Sequence, residues 1–73
     1  MATLEVGTFV RVMAHDEHHG RLGIVVKPQS NEARPGIQHV WIEVAEPGPY
    51  GRIFRVLYHI SQLRAAKGLD KHE

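Results

Sequence analysis

Four short stretches of the chain have the residue pattern of β-strands, and the first and third alternate at the period-2 spacing of a half-buried strand. The stretches are 8–13, 22–27, 39–44 and 52–58. The second is rich in β-branched residues, which favour strands. The fourth is partly apolar on both faces, which predicts that a neighbouring group covers its second face. The pattern therefore predicts a sheet of short strands.

Turn-forming residues separate these stretches. Residues 15–20 are polar, lack an apolar period and end in glycine, so we expect an exposed loop or hairpin connection. Residues 28–36 are rich in Pro, Gly, Asn and Ser and cannot lie inside a sheet. Residues 46–51 contain two prolines and two glycines and predict a further turn. Short strands with such connections are typical of a small barrel or sandwich.

The end of the chain predicts a short helical turn and then a tail. Ser61 is a suitable N-cap for a turn over 62–67, and Gly68 would close that turn in the left-handed conformation. We therefore expect residues 1–68 to form one domain, followed by a flexible polar tail at 69–73.

Composition limits the chemistry that is open to the chain. With 73 residues it forms one domain with a thin core, since a chain this short buries only about 60% of its unfolded surface. It has no Cys, which rules out disulfides and thiolate chemistry. Its formal net charge of +1 does not by itself indicate a nucleic-acid partner. It has neither a leader pattern nor an apolar run of about 18 residues, so we expect a cytoplasmic protein without a membrane partner.

Two glycine-marked segments carry a family resemblance. Residues 7–12 read Gly-Thr-Phe-Val-Arg-Val, and residues 20–25 read Gly-Arg-Leu-Gly-Ile-Val. This arrangement resembles the KOW motif of SH3-like barrels found in ribosomal proteins and transcription elongation factors. Glycine suits a tightly bent strand, where the backbone needs positive φ or close approach. The resemblance implies an SH3-like barrel that binds RNA or ribonucleoprotein.

Two further resemblances imply other functions. Residues 57–64 resemble the end of plasmid-encoded type II dihydrofolate reductase, an oligomer of SH3-like protomers. That family has a Val-Gln-Ile-Tyr strand where residues 55–58 read Arg-Val-Leu-Tyr, so Val56 replaces the family's Gln and only Tyr58 and the shape carry over. The Gly-x-x-Val-Arg-Val opening is similar to that of SH3-like subunits that dock ferredoxin, which implies a protein-docking role.

We therefore expect an all-β, SH3-like barrel of about five short strands with a helical turn near the C-terminus. The residues predicted to form its core are Val10, Val12, Leu22, Val25, Val40, Ile42, Val44, Phe54, Val56, Ile60 and Leu63.

Arginine and aromatic residues are candidates for nucleic-acid binding, because guanidinium groups contact phosphates and aromatic rings stack on bases. Alternatively, these arginines are ordinary outward positions, interleaved with acidic residues for solubility. The candidates are Arg11, Arg21, Arg52 and Arg55 for phosphates, with Trp41 and Tyr50 for stacking.

Apolar residues on the face opposite the core predict a protein interface, with a homo-oligomer or a foreign protein as partner. These residues are Phe9, Trp41, Ile53 and Leu57. The alternative is a second small cluster beneath the loop 28–36.

Three histidines in the first loop, His15, His18 and His19, are weak candidates for metal ligands. A mobile loop supplies poor ligand geometry, so a solvated, pH-responsive loop is the favoured interpretation. The serines lie at a loop and a predicted cap, and no phosphate-binding loop precedes a helix. We therefore expect a binding module without a cofactor or enzymatic activity.

Overall fold

The computed structural model describes residues 4–66, which form five strands and one 3-10 turn. In chain order these elements are β1 (Phe9–Val12), β2 (Leu22–Val26), β3 (His39–Ala45), β4 (Ile53–His59), the turn Ile60–Gln62 and β5 (Leu63–Ala65). They form a single antiparallel sheet in the order β4-β3-β2-β1-β5. This confirms the predicted all-β fold, and the order is that of an SH3-like barrel. The predicted cap at Gly68 and the tail at 69–73 lie outside the described residues.

One face of the sheet encloses the core, although its edge strands are not bonded to each other. Tyr58 on β4 and Leu63 on β5 belong to the same buried cluster, so the sheet must curl around it. We call the opposite side of the sheet the outer face. The buried hydrophobic residues are Val10, Val12, Ala14, Val25, Ile42, Val44, Tyr58 and Leu63.

Six of the predicted core residues are buried, whereas Leu22, Val40, Phe54, Val56 and Ile60 are half-buried. The prediction for Leu22 is wrong because Leu22 pairs with Arg11 and shares the outer face with it. Gly23 occupies the core-facing position between Val10 and Val44 instead. Alternation along β2 thus places Val25 inward and Leu22 outward.

The loop 13–21 closes the gap between the two edges of the sheet. The hydroxyl of Tyr58 donates a 2.7 Å hydrogen bond to Oδ2 of Asp16. The His18 side chain turns inward, with its ring centroid 5.4 Å from that of Phe54, and the residue is only 6% exposed. The prediction of a wholly solvated loop is therefore wrong at His18, which completes the wall of the barrel.

The helical turn lies earlier and is shorter than the predicted 62–67. His59, not Ser61, caps it: Nδ1 of His59 accepts from the Ser61 backbone N–H at 3.1 Å. Leu63–Ala65 are extended, because they pair with the free edge of β1 and bury Leu63 opposite Val12. Tertiary pairing thus overrides the local helical signal at this point.

Gly23 lies where β2 and β3 approach each other closely, which is one of the two roles expected of glycine in this segment. A Cβ atom at Gly23 would lie 2.9 Å from the Glu43 carbonyl oxygen. We expect Gly23→Ala to lower the free energy of unfolding by about 1–3 kcal/mol, because β2 and β3 must move apart. Urea denaturation measures this. Gly36→Ala is the matched control, since no atom lies within 4 Å of that position; an equal loss there would contradict the steric explanation.

Candidate nucleic-acid interface

Four arginines gather toward one end of the sheet. In an antiparallel sheet the connections β1–β2 and β3–β4 emerge at the same end. Arg21 lies at the end of the first connection and Arg52 at the end of the second. Arg11 and Arg64 are direct cross-strand partners on the outer face of β1 and β5. We call these four residues, Arg11, Arg21, Arg52 and Arg64, the arginine surface.

The guanidinium groups of the arginine surface have no ion-pair partner among residues 4–66, although Asp16, Glu17 and Glu46 lie in the two connections at the same end. Among residues 4–66, the carboxylates within 4 Å of a basic side chain pair with Arg55 or His18 and with none of these four arginines. Like charges placed directly opposite, as in Arg11 and Arg64, destabilise a sheet. Nη1 of Arg11 donates to the Gly20 carbonyl at 2.8 Å, which leaves its other N–H groups available. An anionic partner would offset this repulsion.

Tyr50 adds an aromatic ring at the same end. It lies in the β3–β4 turn two residues before Arg52 and is 91% exposed. Glu46, the one acidic residue in this turn, pairs with Arg52 through its backbone N–H at 2.8 Å. An exposed ring beside guanidinium groups is suited to stacking on a nucleic-acid base.

Arg55 does not join the arginine surface, because its guanidinium is already engaged. Nε and Nη2 donate to the two carboxylate oxygens of Glu32, at 2.7 and 2.9 Å. Nη1 donates to Glu43 at 2.7 Å, and Nη2 also donates to the Lys27 carbonyl at 2.6 Å. The hydrogen bonds that Glu32 accepts from Arg55 lower the pKa of Glu32 and raise the pKa of Arg55. Arg55 thus fastens the loop 28–36 to the sheet.

Trp41 also lies apart from the arginine surface. Its Nε1 donates a 2.9 Å hydrogen bond to the Ala33 carbonyl, and the residue is half-buried. It shares the outer face with its cross-strand partners Val26 and Leu57. The loop 28–36 therefore covers part of Trp41. This arrangement corresponds to the alternative given above, in which outer-face residues form a small second cluster beneath the loop.

The predicted protein-interface residues do not form one patch. Ile53 is 65% exposed and lies toward the arginine surface. Leu57, which is 37% exposed, lies beside Trp41. The half-buried Phe9 belongs to the cross-strand row of the Glu43–Arg55 ion pair, which crosses the outer face between them.

The three histidines of the first loop do not converge on a common point. His15 and His19 are exposed and stack on each other, with ring centroids 5.3 Å apart. His18 points inward, and its Nδ1 is buried without a hydrogen-bond partner. Within residues 4–66 no group of three or more His, Cys, Asp or Glu side chains is arranged to hold a metal ion. The arrangement gives no support to the metal hypothesis.

The Tyr58–Asp16 hydrogen bond predicts how stability depends on pH. Burial, and then the bond to Asp16, raise the pKa of Tyr58 above its ordinary 10.0. The same bond is the main cause that lowers the pKa of Asp16 below 3.8. The raised pKa of Tyr58 stabilises the folded state below pH 10, and this stabilisation is lost as the pH rises above 10. The lowered pKa of Asp16 stabilises the folded state above pH 3.8, and this stabilisation is lost as the pH falls below 3.8.

We therefore expect the urea concentration at the midpoint of unfolding to decrease at both extremes of pH. Tyr58→Phe should lower the midpoint at neutral pH, abolish the alkaline decrease due to Tyr58 and weaken the acidic one. Tyr50→Phe is the matched control, because Tyr50 is exposed. A Tyr58→Phe profile parallel to that of the wild type would contradict the linkage.

Comparison of the chain with models of protein families, with curated proteins and with solved structures finds no match. The helical structure among residues 4–66 includes no segment of the length and apolar character needed to cross a membrane. The case for a function therefore rests on the geometry of the surface.

Proposed function

We propose that this chain is a small non-catalytic module that binds nucleic acid, with RNA or ribonucleoprotein as its partner. The observation that carries the proposal is the arginine surface, whose four guanidinium groups lack carboxylate partners among the described residues and lie at the same end as exposed Tyr50. Residues 7–12 and 20–25, which resemble the KOW motif, favour RNA as the nucleic acid. Four of the residues predicted from the sequence to bind nucleic acid remain candidates, namely Arg11, Arg21, Arg52 and Tyr50. The structure adds Arg64 as a further candidate.

The distribution of charge supports this function although the net charge is only +1. Arg55 is paired with two carboxylates, so this group carries one positive and two negative charges and adds nothing to the positive field of the arginine surface. Of the remaining basic residues among 4–66, four lie toward one end of the sheet, and two, Lys27 and Arg34, lie in or next to the loop 28–36. A local concentration of charge suffices to attract phosphates, which supply most of the affinity of non-specific binding.

The geometry of Tyr58 supports a non-catalytic role. Tyr58 is the residue that the reductase resemblance would carry over, but it is 4% exposed and its hydroxyl is bonded to Asp16. This hydroxyl closes the barrel instead of facing a substrate.

The proposal predicts a steep dependence of affinity on salt. If all four arginines contact phosphates of a single strand, the logarithm of the affinity should fall with the logarithm of the salt concentration at a slope of about −3. Between about 50 and 200 mM salt, the affinity for an unstructured RNA oligonucleotide should then drop roughly 50-fold. Fluorescence anisotropy with a labelled oligonucleotide measures this; no binding at low salt would contradict the proposal.

A protein-docking or self-assembling module is the second candidate. It is favoured by the exposure of Ile53 and Leu57 on the outer face. Apolar association is nearly independent of salt, unlike contact with phosphates. Self-association that persists unchanged at high salt, together with no RNA binding, would favour this candidate over the first.

A further inference from the structure

A shallow apolar groove lies on the outer face next to Arg11. Its floor is formed by β2, with the half-buried Leu22 and Ile24 along it, and its sides by Phe9 on β1 and by Glu43 and Ala45 on β3. Neighbouring strands are about 4.8 Å apart, so the two sides are about 10 Å apart. The volume of about 180 Å³ suits one planar base and not a stack of several.

Glu43 supplies a hydrogen-bond acceptor at one side of this groove. Its Oε2 accepts from Nη1 of Arg55 at 2.7 Å. No donor among residues 4–66 reaches its other carboxylate oxygen, and the side chain is 35% exposed. A carboxylate oxygen accepts from the amino group of a base, as in contacts to N4 of cytosine. The paired guanidinium of Arg55 offsets the negative charge that would otherwise repel phosphates.

The groove also adjoins the arginine surface. Leu22, at one end of its floor, is the cross-strand partner of Arg11, and Arg11 is the partner of Arg64. A strand whose phosphates contact these two arginines can therefore place a base over Leu22 and Ile24. Apolar floor, acidic acceptor and basic border together fit a nucleotide better than they fit an acidic peptide, because Glu43 would repel the carboxylates of such a peptide.

We propose that this groove holds one unpaired base with an exocyclic amino group, and that Glu43 accepts a hydrogen bond from that group. This inference rests on the proposed nucleic-acid function and adds a base preference to it. Cytosine and uracil have rings of similar size, but cytosine has an amino group at the position where uracil has a carbonyl oxygen. The module should therefore prefer cytosine to uracil.

Competition between oligocytidine and oligouridine of equal length tests this preference. We expect the wild type to bind oligocytidine about three- to tenfold more tightly, the effect of one hydrogen bond. Glu43→Gln should bring the ratio close to one, because the amide serves either base as donor or acceptor. The ratio, not the affinity, is the readout, so a general loss of stability does not imitate the result.

Glu32→Gln is the matched control. Glu32 also pairs with Arg55 but does not line the groove. This variant should keep the wild-type ratio. Equal binding of the two oligomers by the wild type would overturn the groove inference and leave the proposed function intact, whereas binding of neither at low salt would overturn both. A preference that survives Glu43→Gln would overturn the assignment to Glu43.

Discussion

Replacing Arg11 and Arg64 together with alanine is expected to weaken binding of an unstructured RNA oligonucleotide roughly tenfold to a hundredfold. The two side chains face the same region from paired positions on β1 and β5. Their loss also removes about two phosphate contacts, so the salt slope should become shallower by about 1.4. Fluorescence anisotropy at several salt concentrations measures both quantities. Because the two arginines repel each other, the double variant should fold at least as stably as the wild type.

The matched control removes the same charge from another part of the molecule. Lys27 and Arg34 are exposed and lie in or next to the loop 28–36, away from the arginine surface. The double variant Lys27→Ala/Arg34→Ala changes the net charge equally. It should retain most of the affinity. If both double variants lose affinity to the same extent, binding depends on overall charge and not on the arginine surface.

Replacing Ile42 with alanine is expected to lower the free energy of unfolding by about 2–5 kcal/mol. Ile42 is 0% exposed and lies at the centre of the core, paired with Val25 and Val56. Natural domains are stable by only about 5–15 kcal/mol, and a chain of this size lies toward the lower end. The variant should therefore be largely unfolded or close to its midpoint at ambient temperature.

Ile37→Ala is the control for this substitution, because Ile37 is 98% exposed. Removal of the same atoms there should change stability by less than about 0.5 kcal/mol. Thermal and urea denaturation, followed by circular dichroism, compare the two. A similar loss in both variants would show that the curled sheet does not enclose the core around Ile42.

The strands were predictable because each has a local period that burial on one face enforces. Misassignments arose where partners are distant in sequence. The inward turn of His18 depends on a contact with Phe54, and its loop depends on a hydrogen bond that joins residues 16 and 58. Polar residues in sequence give no sign of such contacts. The outward position of Leu22 was recoverable, since a residue three positions from Val25 in a strand faces the other side.

The proposed binding surface was predictable only in part. Arg11, Arg21, Arg52 and Tyr50 were identified by residue type, and alternating strands leave such residues outside. Arg55 was also proposed, but its partners Glu32 and Glu43 are 23 and 12 residues away along the chain. Arg64 was absent from the predicted site, and the local pattern predicted a helical turn where β5 instead pairs with β1. Sheet register, which brings Arg64 beside Arg11, is not a local property.

The central claim is that nucleic acid binds at the arginine surface. Titration of an isotope-labelled sample with an unstructured RNA oligonucleotide, followed by the backbone amide signals, tests it residue by residue. We expect the largest shifts at Arg11, Arg21, Tyr50, Arg52 and Arg64, and little change at 28–36. Shifts concentrated in 28–36, or no shifts at low salt, would contradict the claim.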